Sequence, residues 1–122
     1  MSSPPLIDRE HLTAQTFGDA DLAQEVLGLF VEQCRRLMPA IAAAEQPDAD
    51  RADLAHTLKG AALGVGAARV AAASAAVEAS LRAGTGAPDL PELEAAVAAT
   101  LALIAEEGAA PTPPSLAPAS GT

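Results

Sequence analysis

Apolar residues recur three and four apart along most of this chain, the spacing that lines one face of an α-helix. A short first helix is predicted from an Asp8 cap through Leu12 to about Gln15; the apolar residues Leu6, Ile7, Leu12 and Phe17 are too few for an independent element, so it lies across the main body as a lid. Phe17-Gly18-Asp19 breaks the pattern, and Asp19 opens a long helix. That helix has two apolar stripes about 120° apart at 100° per residue. One holds Leu22, Val26, Leu29, Phe30 and Leu37; the other holds Leu27, Val31, Cys34 and Met38. One stripe faces a core. The other is either a docking surface or is covered by the N-terminal helix. Pro39 interrupts the ladder and predicts a kink near Arg35-Arg36, with helix resuming through Ile41 to Glu45.

After Gln46-Pro47, Asp48 or Asp50 caps a helix that runs to about Leu63 or Val65, where Gly64 and Gly66 provide a tight turn. The next helix starts at Ala67 or Ala68, ends near Arg82 and puts Val70, Ala73, Val77 and Leu81 on its apolar face. Residues 83–88 are a loop, Asp89 caps the last helix, and Leu93, Val97, Leu101 and Ile104 form its stripe until Gly108. The fold expected is all-α: an antiparallel up-down four-helix bundle over residues 6–107 with a short N-terminal helix. Residues 1–5 read as a flexible lead-in, and residues 108–122, rich in Ala and Pro, as a disordered tail.

Composition narrows the function classes. Of 122 residues half are hydrophobic, mostly alanine and leucine, which suits closely packed helices. The net charge of −9, with no Tyr or Trp, disfavours nucleic acid. No apolar run free of charges reaches the roughly 20 residues of a membrane span, and the N-terminus lacks a signal-peptide pattern. The single cysteine, Cys34, fits a reducing compartment. A cytoplasmic protein is expected.

One stretch stands out: Ala55-His56-Thr57-Leu58-Lys59-Gly60, followed by Gly64 and Gly66-Ala67. It holds one of two histidines and the only lysine. His56 and Lys59, three apart, share a helix face. On the helical wheel Leu54, Leu58, Ala61 and Val65 cluster within about 60° as the core stripe, and His56 lies roughly 180° from its centre. Lys59, Gly60, Leu63 and Ala52 flank it on the outer side. An exposed histidine is common and by itself says little. Gly60, one turn on, removes bulk where a partner could approach; its alternative use is close helix packing, which Gly64 could also serve. A flexible ammonium beside an imidazole suits an anion carried on that imidazole.

These residues resemble the phosphoacceptor motif of the histidine phosphotransfer (HPt) domains of bacterial multistep phosphorelays. The Leu6-Ile7-Asp8 start, Phe17-Gly18-Asp19, Leu29-Phe30 and Val77-Glu78 extend the similarity over about residues 6–107. The resemblance implies that His56 is the phosphoacceptor, that Lys59 helps neutralise the phosphoryl oxygens, and that Gly60 leaves room for a receiver domain. It places Glu78 near the histidine. It implies receiver domains and hybrid histidine kinases as partners, Mg²⁺ on the receiver and no cofactor here, and no autonomous kinase or ATPase activity. Leu63, Gly64, Arg36 and Glu78 are candidate partner contacts of a monomer, Arg36 being alternatively an ordinary solvated charge. A non-phosphorylated helical adaptor is the rival. A metal site on His11 and His56 is the weaker one, for the two lone histidines form no ligand pair and no metal is expected.

Overall fold

The computed structural model describes residues 5–109, so the lead-in to Pro4 and the tail from residue 110 lie outside the described residues. Among the described residues every regular element is helical: α1 (Arg9–Gln15), α2 (Ala20–Ala42), α3 (Asp48–Val65), α4 (Ala68–Arg82) and α5 (Leu90–Ala109). Each of α2 to α5 packs on the next, and α5 returns to α2, closing a four-helix bundle. The α3–α4 pair is the most extensive. Only Gly66 and Ala67 connect these two helices, which forces them antiparallel. Short α1 rests on α3 and α2 as a lid, and an Arg9–Glu107 ion pair joins it to α5.

The helix starts follow the sequence where a side-chain cap is available. The Asp8 carboxylate accepts from the His11 N–H at 3.1 Å, and Asp19 accepts from the Leu22 N–H at 3.0 Å. Before α2, Phe17 (φ 55°) and Gly18 (φ 74°) both take the left-handed conformation, which reverses the chain. Asp48 and Asp50 do not cap α3. Pro47 stands at that position, and the two aspartates lie in the first turn, where negative charge complements the helix N-terminus. Helix α2 continues through Pro39 and ends at Ala42, three residues short of Glu45. Its end is held by Arg51, whose buried guanidinium donates from Nε to the Ile41 carbonyl at 2.8 Å, with Asp48 at 3.7 Å. A cation at the negative end of a helix satisfies a carbonyl that has no partner within the helix. Helix α5 runs one residue past Gly108.

The core takes one row that draws on both α2 stripes and on Ile41 beyond them: Leu27, Phe30, Cys34, Leu37 and Ile41. The Leu27/Val31/Cys34/Met38 stripe is therefore neither a docking surface nor a layer roofed only by α1. Leu27 and Cys34 are fully buried, and Val31 and Met38 pack against the core. Burial pushes the Cys34 thiol up to about 11. Leu29, from the other stripe, faces solvent.

On α3 the buried row is Arg51, Ala52, Ala55, Leu58, Ala62 and Val65, with Leu54 and Ala61 half-buried at its edge. Ala52 is thus inside, not on the outer side. The α3–α4 seam is lined by small residues, with Ala71, Ala73 and Ser74 buried on α4, so the backbones approach closely and the buried arc turns toward α4. Gly64 stays helical; the turn belongs to Gly66 alone (φ 77°), whose carbonyl accepts from the Asp8 N–H at 2.9 Å. A Cβ on Gly66 would lie 3.0 Å from the Asp8 Cβ and carbonyl oxygen. Glycine is required there both for its φ and for the close passage of the chain.

Candidate functional site

Helix α3 turns Asp53, His56, Thr57, Gly60, Leu63 and Gly64 outward, at the three- and four-residue intervals of a single face. The His56 side chain is 62 % exposed. Neither Gly60 nor Gly64 is enforced by packing, since a Cβ added at either meets no atom within 4 Å. Close helix packing therefore does not explain Gly64. Leu63 is more than half exposed, above a pocket of about 210 Å³ that Asp8, His11, Gly66 and Ala68 also line. Gly64 borders a groove of about 260 Å³ between α2 and α3, walled by Val26, Leu29, Phe30 and Ala61. Leu29 is 65 % exposed at its rim.

Helix α4 supplies the partner of the histidine. Val77 and Leu81 anchor its buried face, which presents Glu78 to α3 at the level of His56. The Glu78 side chain is only 15 % exposed, and its carboxylate oxygens lie 3.2 and 3.3 Å from His56 Nδ1. Lys59 Nζ stands 3.7 Å from the same carboxylate. Burial works against ionising Glu78. Hydrogen bonds from Arg82 and His56, with the charges of His56 and Lys59, outweigh it and hold the carboxyl below its ordinary value. An ionised carboxylate only accepts hydrogen bonds. In the neutral imidazole the proton therefore sits on Nδ1, and the lone pair is on Nε2.

Two further residues complete the cluster, and sequence reasoning missed them in this role. Arg82 donates from Nε to Glu78 at 3.0 Å and from a terminal nitrogen to Asp53 at 3.0 Å. These bonds raise its already high pKa, Asp53 contributing most. The signals in the sequence were weak: Arg82 is four residues after Glu78, and Asp53 is three before His56. Only the packing register of α4 on α3 brings the two pairs together. Lys59 and Arg82 thus balance Glu78 and Asp53 around the imidazole, a locally neutral patch on an acidic chain.

The structure brings His56, Lys59, Glu78 and, one turn on, Gly60 into one site. Arg36 is exposed on α2 and makes no hydrogen bond or ion pair with this cluster. Among the described residues no group of three or more His, Cys, Asp or Glu side chains could hold a metal ion. None of the described helices is long and apolar enough to cross a membrane.

No curated protein and no solved structure matches the chain. A family model, Hpt domain, matches residues 25–107. The matched span takes in all of α3 and α4, hence the whole His56 cluster, together with most of α2 and α5. Hpt domains take part in histidine phosphotransfer in phosphorelays, where they interact with receiver domains and histidine kinases. An exposed, oriented histidine on a helical bundle is the arrangement such a task needs, and the chain belongs to the Hpt domain family.

Proposed function

We propose that this protein carries a phosphoryl group on His56 between the aspartates of receiver domains. The observation that carries this reading is the pairing of Glu78 with Nδ1, which leaves the Nε2 lone pair free on an exposed ring. In the transfer, Nε2 attacks the phosphorus of a receiver's aspartyl phosphate. The N–P bond forms as the acyl P–O bond breaks, and its electron pair leaves with the aspartate carboxylate. The proton stays on Nδ1, and the Glu78 carboxylate meets the positive charge that develops on the ring. Transfer to a second receiver is the same step reversed.

Lys59 neutralises the phosphoryl oxygens, swinging from Glu78 on its flexible stem. Phosphoryl transfer depends chiefly on positioning and charge neutralisation, so this short set of groups is sufficient. The receiver docks over Gly60 and Gly64, where missing side chains let it approach, and against Leu63 and the exposed Leu29. Arg36, exposed on α2 and outside the His56 cluster, meets the receiver at the margin of that face. Mg²⁺ belongs to the receiver, the chain has no kinase or ATPase activity of its own, and it works as a monomer in the cytoplasm.

Incubation with a phosphorylated receiver tests this. The expected product is an acid-labile, alkali-stable phosphoramidate on His56, absent from His56→Gln and formed more slowly by Lys59→Ala. Equal labelling of His56→Gln removes the assignment. A wild-type chain that binds the receiver but takes no label is instead the adaptor.

A further inference from the structure

The transfer chemistry uses His56, Lys59 and Glu78, and leaves Arg82 and Asp53 without a task. Their geometry is specific. Asp53 shares the outward face of α3 with His56, and Arg82 shares a face of α4 with Glu78. One guanidinium joins both carboxylates, each at 3.0 Å, and so ties the two helices together beside the imidazole.

We infer that Arg82 is a positioning residue for His56, acting through Glu78 and itself held by Asp53. The consequence for transfer rests on the phosphoacceptor reading; the effect on the imidazole does not.

The Glu78 carboxylate accepts from two donors, His56 Nδ1 and Arg82, and faces the Lys59 charge. A glutamate side chain has several rotatable bonds, and its one contact with His56 does not fix it. The Lys59 ammonium is at 3.7 Å, beyond hydrogen-bond length, on the most flexible of the three side chains. Arg82 differs because its planar fork engages two carboxylates at once, so that neither end is free to rotate. With Arg82 present, the Glu78 oxygens are pinned at Nδ1 and Nε2 keeps the lone pair. Without it the nearest cation to Glu78 is Lys59, one turn further along α3. The carboxylate then follows Lys59 away from Nδ1. It also engages the ammonium that the incoming phosphoryl group needs. The patch, balanced at two cations and two carboxylates, gains a net negative charge where a dianion must arrive.

The imidazole tautomer reports this directly. The full chain, ¹⁵N-labelled at histidine, is compared with Arg82→Gln, Asp53→Asn and Glu78→Gln by long-range ¹H–¹⁵N correlation at a pH where the ring is neutral. Wild type is expected mainly in the Nδ1–H form. Arg82→Gln and Glu78→Gln are expected to move toward the Nε2–H form that free imidazole favours in water, and Asp53→Asn part of the way. Arg82→Lys, which can reach only one of the two carboxylates, restores part of the shift. With phosphoramidate as a small phosphodonor, the donor N–P bond breaks, ammonia leaves and the Nε2–P bond forms. Arg82→Gln should do this about threefold to tenfold more slowly, the change expected from one lost oriented hydrogen bond. Urea melts show whether each variant remains folded at the assay temperature.

A wild-type tautomer ratio in folded Arg82→Gln overturns the inference, as does a wild-type protein already at the free-imidazole ratio. If the tautomer moves with Arg82 but wild type accepts no phosphoryl group from phosphoramidate or a receiver, the positioning role stands and the phosphoacceptor reading falls.

Discussion

Replacing Gly60 by alanine should make this protein more stable. Gly60 is the thirteenth of the 18 residues of α3, well inside the helix, and an added Cβ meets no atom within 4 Å. The substitution therefore introduces no clash, fills no cavity and breaks no contact. What remains is intrinsic: glycine is about 0.8–1 kcal/mol less favourable than alanine in a helix interior. The melting temperature should rise by roughly 3–6 °C for a domain of this size. In urea the midpoint should rise by about 0.3–0.8 M with the slope unchanged, as a pure stability change requires. Gly64→Ala should gain roughly half as much by the same propensity argument, because Gly64 is next to the last residue of α3 and the helix end contributes less. A glycine retained against this gain is retained for something outside the folded chain. Gly60→Phe, placed on the solvent-facing side of α3, should therefore keep the bundle folded and weaken receiver binding about tenfold or more, the usual cost of forcing bulk into a packed contact. If Gly60→Ala lowers the urea midpoint, the fold itself needs the glycine. If Gly60→Phe binds a receiver as well as wild type, the steric purpose is wrong.

The neighbouring glycine should behave in the opposite way. Gly66→Ala combines a left-handed backbone at φ 77° with a Cβ 3.0 Å from the Asp8 backbone, and should cost roughly 2–4 kcal/mol, read as a lowered urea midpoint. Glu78 also gives stability a pH dependence. Its folded carboxyl lies below the ordinary 4.5, so its contribution is present above that pH and is lost as pH falls through the folded value. Urea melts of wild type and Glu78→Gln should therefore differ at neutral pH and converge on acidification below 4.5; a gap that persists in acid refutes the ion-pair origin.

The helices were legible in the sequence because local chemistry marks them. Asp8, Asp19 and Gly66 each perform at the backbone what their residue types suit, and the element boundaries follow. Boundaries went astray where no such marker acts. The end of α2 is set by Arg51 reaching back from the next helix, a contact across ten residues that no local pattern encodes. The wheel placed His56 on the solvent side correctly, since a residue opposite the core remains outside even when the core arc is misjudged by part of a turn. It misplaced Ala52, which lies nearer the arc's edge, because an alanine gives no signal of its own about burial. The two stripes of α2 failed for a related reason. Apolar residues cover more than half the circumference of that helix, about 200° at 100° per residue, and only the positions of α3 and α5 select the row Leu27, Phe30, Cys34, Leu37 and Ile41.

Within the candidate site the same distinction separates what a single helix determines from what two helices determine together. His56, Lys59 and Gly60 lie on one helix, so their shared face follows from spacing alone. The Glu78 contact depends on the rotation of α4, and the Arg82 bridge depends on its rotation and its register at once. The two-residue Gly66–Ala67 turn and the buried Val70, Val77 and Leu81 of α4 fix how that helix seats on α3. The Asp53–Arg82–Glu78 bridge adds a directional contact that this register makes possible. Asp53 and Arg82 stand beside the imidazole without bonding to it. A substitution at Arg82 should therefore disturb the orientation of the His56 ring while the α3–α4 register, held by the turn and the buried row, persists.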